Sequence, residues 1–270
     1  MFRHEGPARS EAKNAALAAF LALTGGYVNS AGFVLLGVFT SHVTGNVGRI
    51  AIDVTRQDAE GSWEGLAMVG AFFAGAVIAS VIIESAAFRF KPWAYGAALA
   101  LEAALLLAFY LLPEAPPQAL RSPVSRAALM CASMGLQNSL VTRLSGAVVR
   151  TTHLTGVLTD LGIEVARWLR WGRACLARRL GMPLVLGEAE RPGAAKLRLL
   201  SIITISFGTG SLSGAWACLH FRYRALSLPV IGLALAAAYA VSTGRKQAAS
   251  PSIRAAAQQP GAPEPTGRQT

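Results

Sequence analysis

The chain has 270 residues, of which 53% are hydrophobic and only 14% charged, with a mean hydropathy of +0.44. That balance excludes an ordinary water-soluble domain and points to lipid as the solvent. The net charge of +11 does not make it a nucleic-acid binder, because the basic residues lie between apolar runs rather than on one face of a polar domain.

In chain order, runs of about 18 or more apolar residues fall near 14–39, 63–87, 93–112, 126–149, 199–220 and 225–242, and each predicts a membrane-spanning helix. Helix is the form these runs require, since backbone groups in hydrocarbon must pair within their own segment and the runs far exceed the length of barrel strands. The N-terminus, 1–13, is basic. The first run is too long for a signal-peptide core and has no small-residue cleavage site, so it is expected to stay as the first helix. Pro92, Pro113, Pro116, Pro117 and Pro123 punctuate the turns around the third run, and Trp63 and Trp93 lie where interface anchors belong. The segment 47–58 carries Arg49, Asp53, Arg56 and Asp58, too polar to cross, and predicts an interfacial or re-entrant helix. Residues 113–125 form a connection, 157–198 an Arg-rich loop, and 243–270 a Gln-, Ser-, Ala- and Pro-rich tail that cannot bury enough apolar surface to fold. With the N-terminus placed in the cytoplasm, most of the 25 Lys and Arg fall on that side, so both termini are expected inside.

The chain matches itself. Gly26-Tyr27-Val28-Asn29-Ser30 aligns with Gly135-Leu136-Gln137-Asn138-Ser139, and Thr40-Ser41-His42-Val43-Thr44-Gly45 aligns with Thr151-Thr152-His153-Leu154-Thr155-Gly156 after two extra residues. Asp53 and Glu164 keep the same offset. The expected fold is therefore all-α, a bundle of six transmembrane helices made of two three-helix repeats, 14–112 and 126–242. An odd number of spans per repeat inverts the second in the membrane, and such repeats place sites near the midplane at interrupted helices.

The polar residues of these motifs are the candidate site. Asn29, Ser30, Gln137, Asn138 and Ser139 lie within apolar runs, where an unpartnered amide costs several kcal/mol. They serve either as interhelical glue or as a neutral polar pocket suited to a polar or zwitterionic solute or a carbonyl-coordinated cation. Thr44, Gly45 and Asn46, with Thr155 and Gly156, mark expected helix breaks where hydroxyls cap free N–H groups, or else tight small-residue packing. Glu102, mid-span in the third run, is a candidate proton carrier or a structural carboxyl. Glu84 lies nearer a helix end and can snorkel. His42 and His153 flank the breaks and are candidate proton-coupling groups, histidine being the side chain suited to exchange protons near neutral pH, though solvated loop histidines are the commoner case.

Cys131, Cys175 and Cys218 have no C-x-x-C spacing, which argues against a disulfide framework or a metal site and for apolar filler. No catalytic triad spacing, H-E-x-x-H or phosphate-binding glycine loop occurs, so neither an enzyme nor a cofactor is expected.

The pattern Gly26-x-x-Asn29-Ser30 leading to Thr44-Gly45-Asn46, with Met134-Gly135-Leu136-Gln137-Asn138 leading to Thr151-Thr152-x-x-Thr155-Gly156, resembles the YoaK-like family of small bacterial multi-pass membrane proteins, a family of unknown function. The resemblance covers about residues 14–242 and implies a location in the bacterial cytoplasmic membrane. In that family the position of Asn29 is usually Asp, and an Asn cannot exchange a proton. The expected function is a small secondary transporter or permease for a polar solute. The alternative is a non-transporting membrane protein that binds lipid or a protein partner through the Arg-rich connection. The expected partners are the bilayer and a small polar solute, with no nucleic acid; assembly into a homo-oligomer is compatible with either reading.

Overall fold

The computed structural model describes residues 11–85, 91–112, 124–145, 154–182 and 190–248. The described residues are all helical apart from turns. In chain order the helices are α1 (Glu11–Leu36), α2 (Val43–Thr55), α3 (Ala59–Glu84), α4 (Lys91–Leu111), α5 (Val124–Ser145), α6 (Leu154–Arg179), α7 (Ala194–Phe221) and α8 (Ser227–Ala248), with a 3-10 helix, Arg222–Leu226, joining the last two.

Local chemistry sets the ends of these helices. α1 stops three residues before the expected limit because Gly37 adopts φ +74, a left-handed conformation that glycine takes without steric cost. At the end of α2, Gln57 takes φ 57. The Asp58 N–H then reaches back to the Asp53 carbonyl at 2.9 Å and the Gln57 N–H to that of Val54 at 3.1 Å, which satisfies carbonyls that helix termination would orphan. Asp58 also opens α3 by accepting from the Gly61 N–H at 2.9 Å, an N-cap of the expected kind. Arg222, at φ 50, breaks the chain between α7 and α8.

Four stretches are long and apolar enough to cross a membrane: 15–36, 59–84, 93–111 and 194–244. The last spans 51 residues, holds both α7 and α8, and exceeds the roughly 20 residues one crossing needs. α5, expected as a span over 126–149, falls below that apolarity, because Arg126, Ser133, Gln137, Asn138, Ser139 and Arg143 all lie in it. Its described part ends at Ser145. The Arg-rich region 157–198, expected as a loop, is largely helical in its described residues. Up to Arg179 it is the helix α6, since Leu161, Val165, Trp168 and Leu169 recur at helical spacing between the basic residues. The expected tail, 243–270, starts too early, since α8 continues through 243–248, and the expected connection, 113–125, ends two residues into α5; 113–123 and the residues beyond Ala248 lie outside the described residues.

The bundle is inside-out relative to a soluble protein. Large apolar side chains such as Phe73, Val81, Ile205, Leu212 and Leu219 are exposed, as lipid contact requires, while small residues occupy the helix contacts. The most extensive contacts pair α1 with α7, α3 with α5 and α4 with α8. α2 lies on α3 and α6 on α7. In the α1–α7 pair, a methyl group on Gly26 would overlap the Phe207 carbonyl, and one on Gly210 would overlap that of Leu23. In the α3–α5 pair, Gly135 meets the Phe72 carbonyl and Gly75 that of Ala132 in the same way. Any side chain at these four positions forces the backbones apart. Trp93, expected as an interface anchor, instead donates to the Val241 carbonyl at 3.2 Å and helps seal α4 against α8, whereas Trp63 is 64% exposed.

Candidate functional site

The first motif folds into a tight return between α1 and α2. Asn29, two turns from the end of α1, presents its Oδ1 to Ser41, which donates both its backbone N–H and its hydroxyl, each at 3.0 Å. Thr40 is buried at 1% exposure, with its Cγ2 seated where a side chain on Gly32 would go. Phe39 stacks on Phe33 with ring centroids 4.4 Å apart. The Asn29 amide oxygen is thus a local clamp across the break.

Thr44, Gly45 and Asn46, expected to form the break, lie inside the first turn of α2; the break itself is 37–42. The N-cap is His42, and no side chain bonds the first turn, so the expected hydroxyl capping does not occur there. Gly45 is small for a different reason: the exposed His42 ring rests against it, in the space a Cβ would take. Asn46 is buried and Thr44 exposed. In the second motif Thr155 and Gly156 likewise lie in the opening turn of α6, both exposed, with open space around Gly156. His153, Thr151 and Thr152 lie outside the described residues.

On α5, Ser139 shares a hydrogen bond with Ser80 of α3 at 2.8 Å, and Gln137 donates from Nε2 to the Leu21 carbonyl of α1. Asn29, Ser30, Asn138 and Ser139 are all partly buried, and Gln137 is fully so. The Gln137 link brings α5 to α1, while Ser139 brings it to α3. One turn before Gln137 lies Ser133, also fully buried, which the motif comparison overlooked; its spacing of one helical turn from Gln137 was the available signal.

Glu102 is fully buried in α4, and neither carboxyl oxygen has a hydrogen-bond partner among the described residues. The nearby buried cation does not neutralise it directly. Arg126, 2% exposed, donates from Nη2 to the Leu112 carbonyl at 3.0 Å and lies over the rings of Phe109 and Tyr223, 5.8 and 4.9 Å from their centroids. This buried arginine was not anticipated, because at the start of a span it reads as an interface charge. Glu84, expected to snorkel, pairs with Arg143 of α5.

Asp53 and Glu164, the acidic residues at matching offsets, both join ion pairs that fasten a short or amphipathic helix to the span that follows. Arg49 bridges Asp53 at 3.3 Å and Glu64 of α3 at 3.0 Å. Glu164, nearly buried, takes Arg167 at 2.9 Å and Lys196 of α7 at 3.3 Å. Cys131 and Cys218 are buried and Cys175 partly so, all as free thiols.

The chain is 32% identical over 146 residues to the UPF0700 transmembrane protein YoaK of Bacillus subtilis (strain 168). That alignment covers 54% of this chain and 64% of the relative's length. No solved structure matches the chain significantly. The profile of the family described as "Protein of unknown function (DUF1275)" matches residues 17–239, and the chain is a membrane protein of that family.

Proposed function

We propose that this protein is a small secondary transporter for a polar solute, built from two inverted repeats, α1 to α4 and α5 to α8, with six spans and both termini in the cytoplasm. On this reading α2 and α6 lie at opposite faces of the cytoplasmic membrane.

The observation that carries the proposal is the exchange of packing partners. The step along the chain that takes Gly26 to Gly135 also takes Leu23 to Ala132, and the step that takes Phe72 to Phe207 takes Gly75 to Gly210. These two glycine contacts in one seam therefore have counterparts in the other, although Gly214 against the Tyr27 carbonyl has Ala79 at the matching place, and the first helix of each half rides on the third helix of its partner half. Two seams made of small residues, with the polar groups of α1 and α5 beside them, suit two halves that rock about a shared axis. The reading assigns no catalytic role to any residue. Thermal unfolding of the detergent-purified protein against a library of metabolites tests it. A solute that stabilises the unaltered protein, but not an Asn29→Ala, Asn138→Ala variant, is then tried for uptake into liposomes. A ligand at 100 times its dissociation constant adds about 2.7 kcal/mol of stability.

One observation favours a second reading, binding of a lipid or protein partner. α6 carries Arg167, Arg170, Arg173, Arg178 and Arg179 among exposed Leu158, Ile163, Leu169 and Leu176, the composition of a helix that lies on an anionic membrane surface. Failure of every solute, with anionic lipid binding equally to both forms, favours this reading over transport.

A further inference from the structure

Glu102, Ser133 and Gln137 are all fully buried, and four of their oxygens lack any partner among the described residues: both carboxyl oxygens of Glu102, Ser133 Oγ and Gln137 Oε1. Buried polar atoms of native proteins are almost always satisfied, and groups of unsatisfied ones mark an ion or water. Helical register brings the three side chains to neighbouring levels of the α4–α5 contact. The Arg126 bond to the Leu112 carbonyl sets the start of α5 beside the end of α4, so the two helices run antiparallel, and the Arg126 guanidinium marks the level of Phe109. Two helical turns, about 10 Å, back along α4 from Phe109 and forward along α5 from Arg126 reach Glu102 and Ser133 at one level and on the same faces. Gln137 follows one turn beyond Ser133.

The remaining faces are already occupied. α5 turns Ala132, Gly135 and Ser139 toward α3, and α4 turns Trp93 and Gly96 toward α8. Ser133, Gln137 and Glu102 lie on the other sides of these helices, and the bond from Gln137 Nε2 to the Leu21 carbonyl ties the far end of the group to α1, which packs on α5 and not on α4. That bond commits the amide nitrogen to α1 and leaves Oε1 as the free end.

We infer that Glu102, Ser133 and Gln137 form a binding site for a monovalent alkali cation between α1, α4 and α5. The unpartnered atoms are all oxygens, the ligand type that hard cations take. In its ionised form the carboxylate is neutralised by a single positive charge, for which an alkali cation competes with a proton; a divalent ion would leave net charge in the apolar interior, where uncompensated charge is expensive. Arg126 cannot supply that charge, being held about two turns away by Leu112, Phe109 and Tyr223. The site goes beyond the transport proposal, since a cation can bind there whether or not any solute is moved.

The test is thermal unfolding of the purified full-length protein in sodium, potassium or choline chloride at equal ionic strength. The site predicts saturable stabilisation by sodium or potassium relative to choline, abolished in Glu102→Gln, which keeps the side-chain shape. In Ser133→Ala, which removes one ligand and leaves the carboxylate, the half-saturating concentration rises about tenfold; this variant carries the test should Glu102→Gln fail to fold. Equal unfolding in all three salts overturns the site, as does a cation effect that both variants retain. A polar solute that stabilises the protein in choline chloride, with no effect of sodium or potassium, removes the cation site and leaves the transport proposal standing.

Discussion

In the first half of the chain, Asn29 clamps a short break and α2 ends after 13 residues at the Gln57 turn. In the second half, α6 runs for 26 residues from Leu154 to Arg179 and is studded with arginines. The helices that precede and follow these segments share one kind of contact. α1 meets α7, and α5 meets α3, through glycines set against backbone carbonyls at equivalent positions. The difference separates two kinds of constraint. Where two backbones touch, only the absence of a side chain permits the contact, so the residue type is fixed. Where a helix lies at the edge of the bundle, length and charge can drift so long as one face stays attached to the next span, and here an ion pair does the attaching in both halves.

Substitutions at the seams put the greatest strain on this comparison. Gly135→Ala and Gly210→Ala each push a methyl group into a backbone carbonyl and are expected to cost about 3 kcal/mol, the upper part of the usual overpacking range. Unfolding in mixed detergent measures both, and a large loss in one seam with none in the other would break the equivalence. Arg126→Leu removes the bond to the Leu112 carbonyl and two ring contacts, for an expected loss of about 2 kcal/mol by the same assay. Asn29→Ala leaves the Ser41 donors without their acceptor and is expected to cost about 1 to 2 kcal/mol. Asn29→Asp keeps an acceptor in place and should unfold close to the unaltered protein. The smallest effects are expected at the edge helices: Arg49→Met and Lys196→Met, whose side chains are 35% and 53% exposed, should each cost no more than about 1 kcal/mol, with the loss fading as salt is raised.

Much of this was legible in the sequence, for identifiable reasons. Apolar runs located α1, α3 and α4 to within four residues and α7 and α8 to within about a turn and a half, because in lipid a long apolar segment has no fold open to it other than helix. The motif comparison found Gly26 and Gly135, whose contacts turned out to be equivalent. What it misjudged was the purpose of Thr44-Gly45: small residues next to hydroxyls read as a break, whereas Gly45 serves to admit the His42 ring one turn into α2. α6 was taken for a loop because its arginines hide the helical period of its apolar residues. Arg126 and Ser133 were passed over since burial depends on which helix lies opposite, and a single chain read in order does not say that α5 faces α1, α3 and α4.

The central claim is that the two halves face the membrane in opposite senses, and labelling single cysteines at Gln57 and Gly172 in intact cells tests it most directly. With Cys131, Cys175 and Cys218 replaced, a membrane-impermeant thiol reagent is applied before and after permeabilisation. The account predicts that Gln57→Cys reacts in intact cells and Gly172→Cys only once the membrane is opened. Reaction of both from the same side would contradict the inverted repeat, and with it the rocking of two halves proposed for this protein.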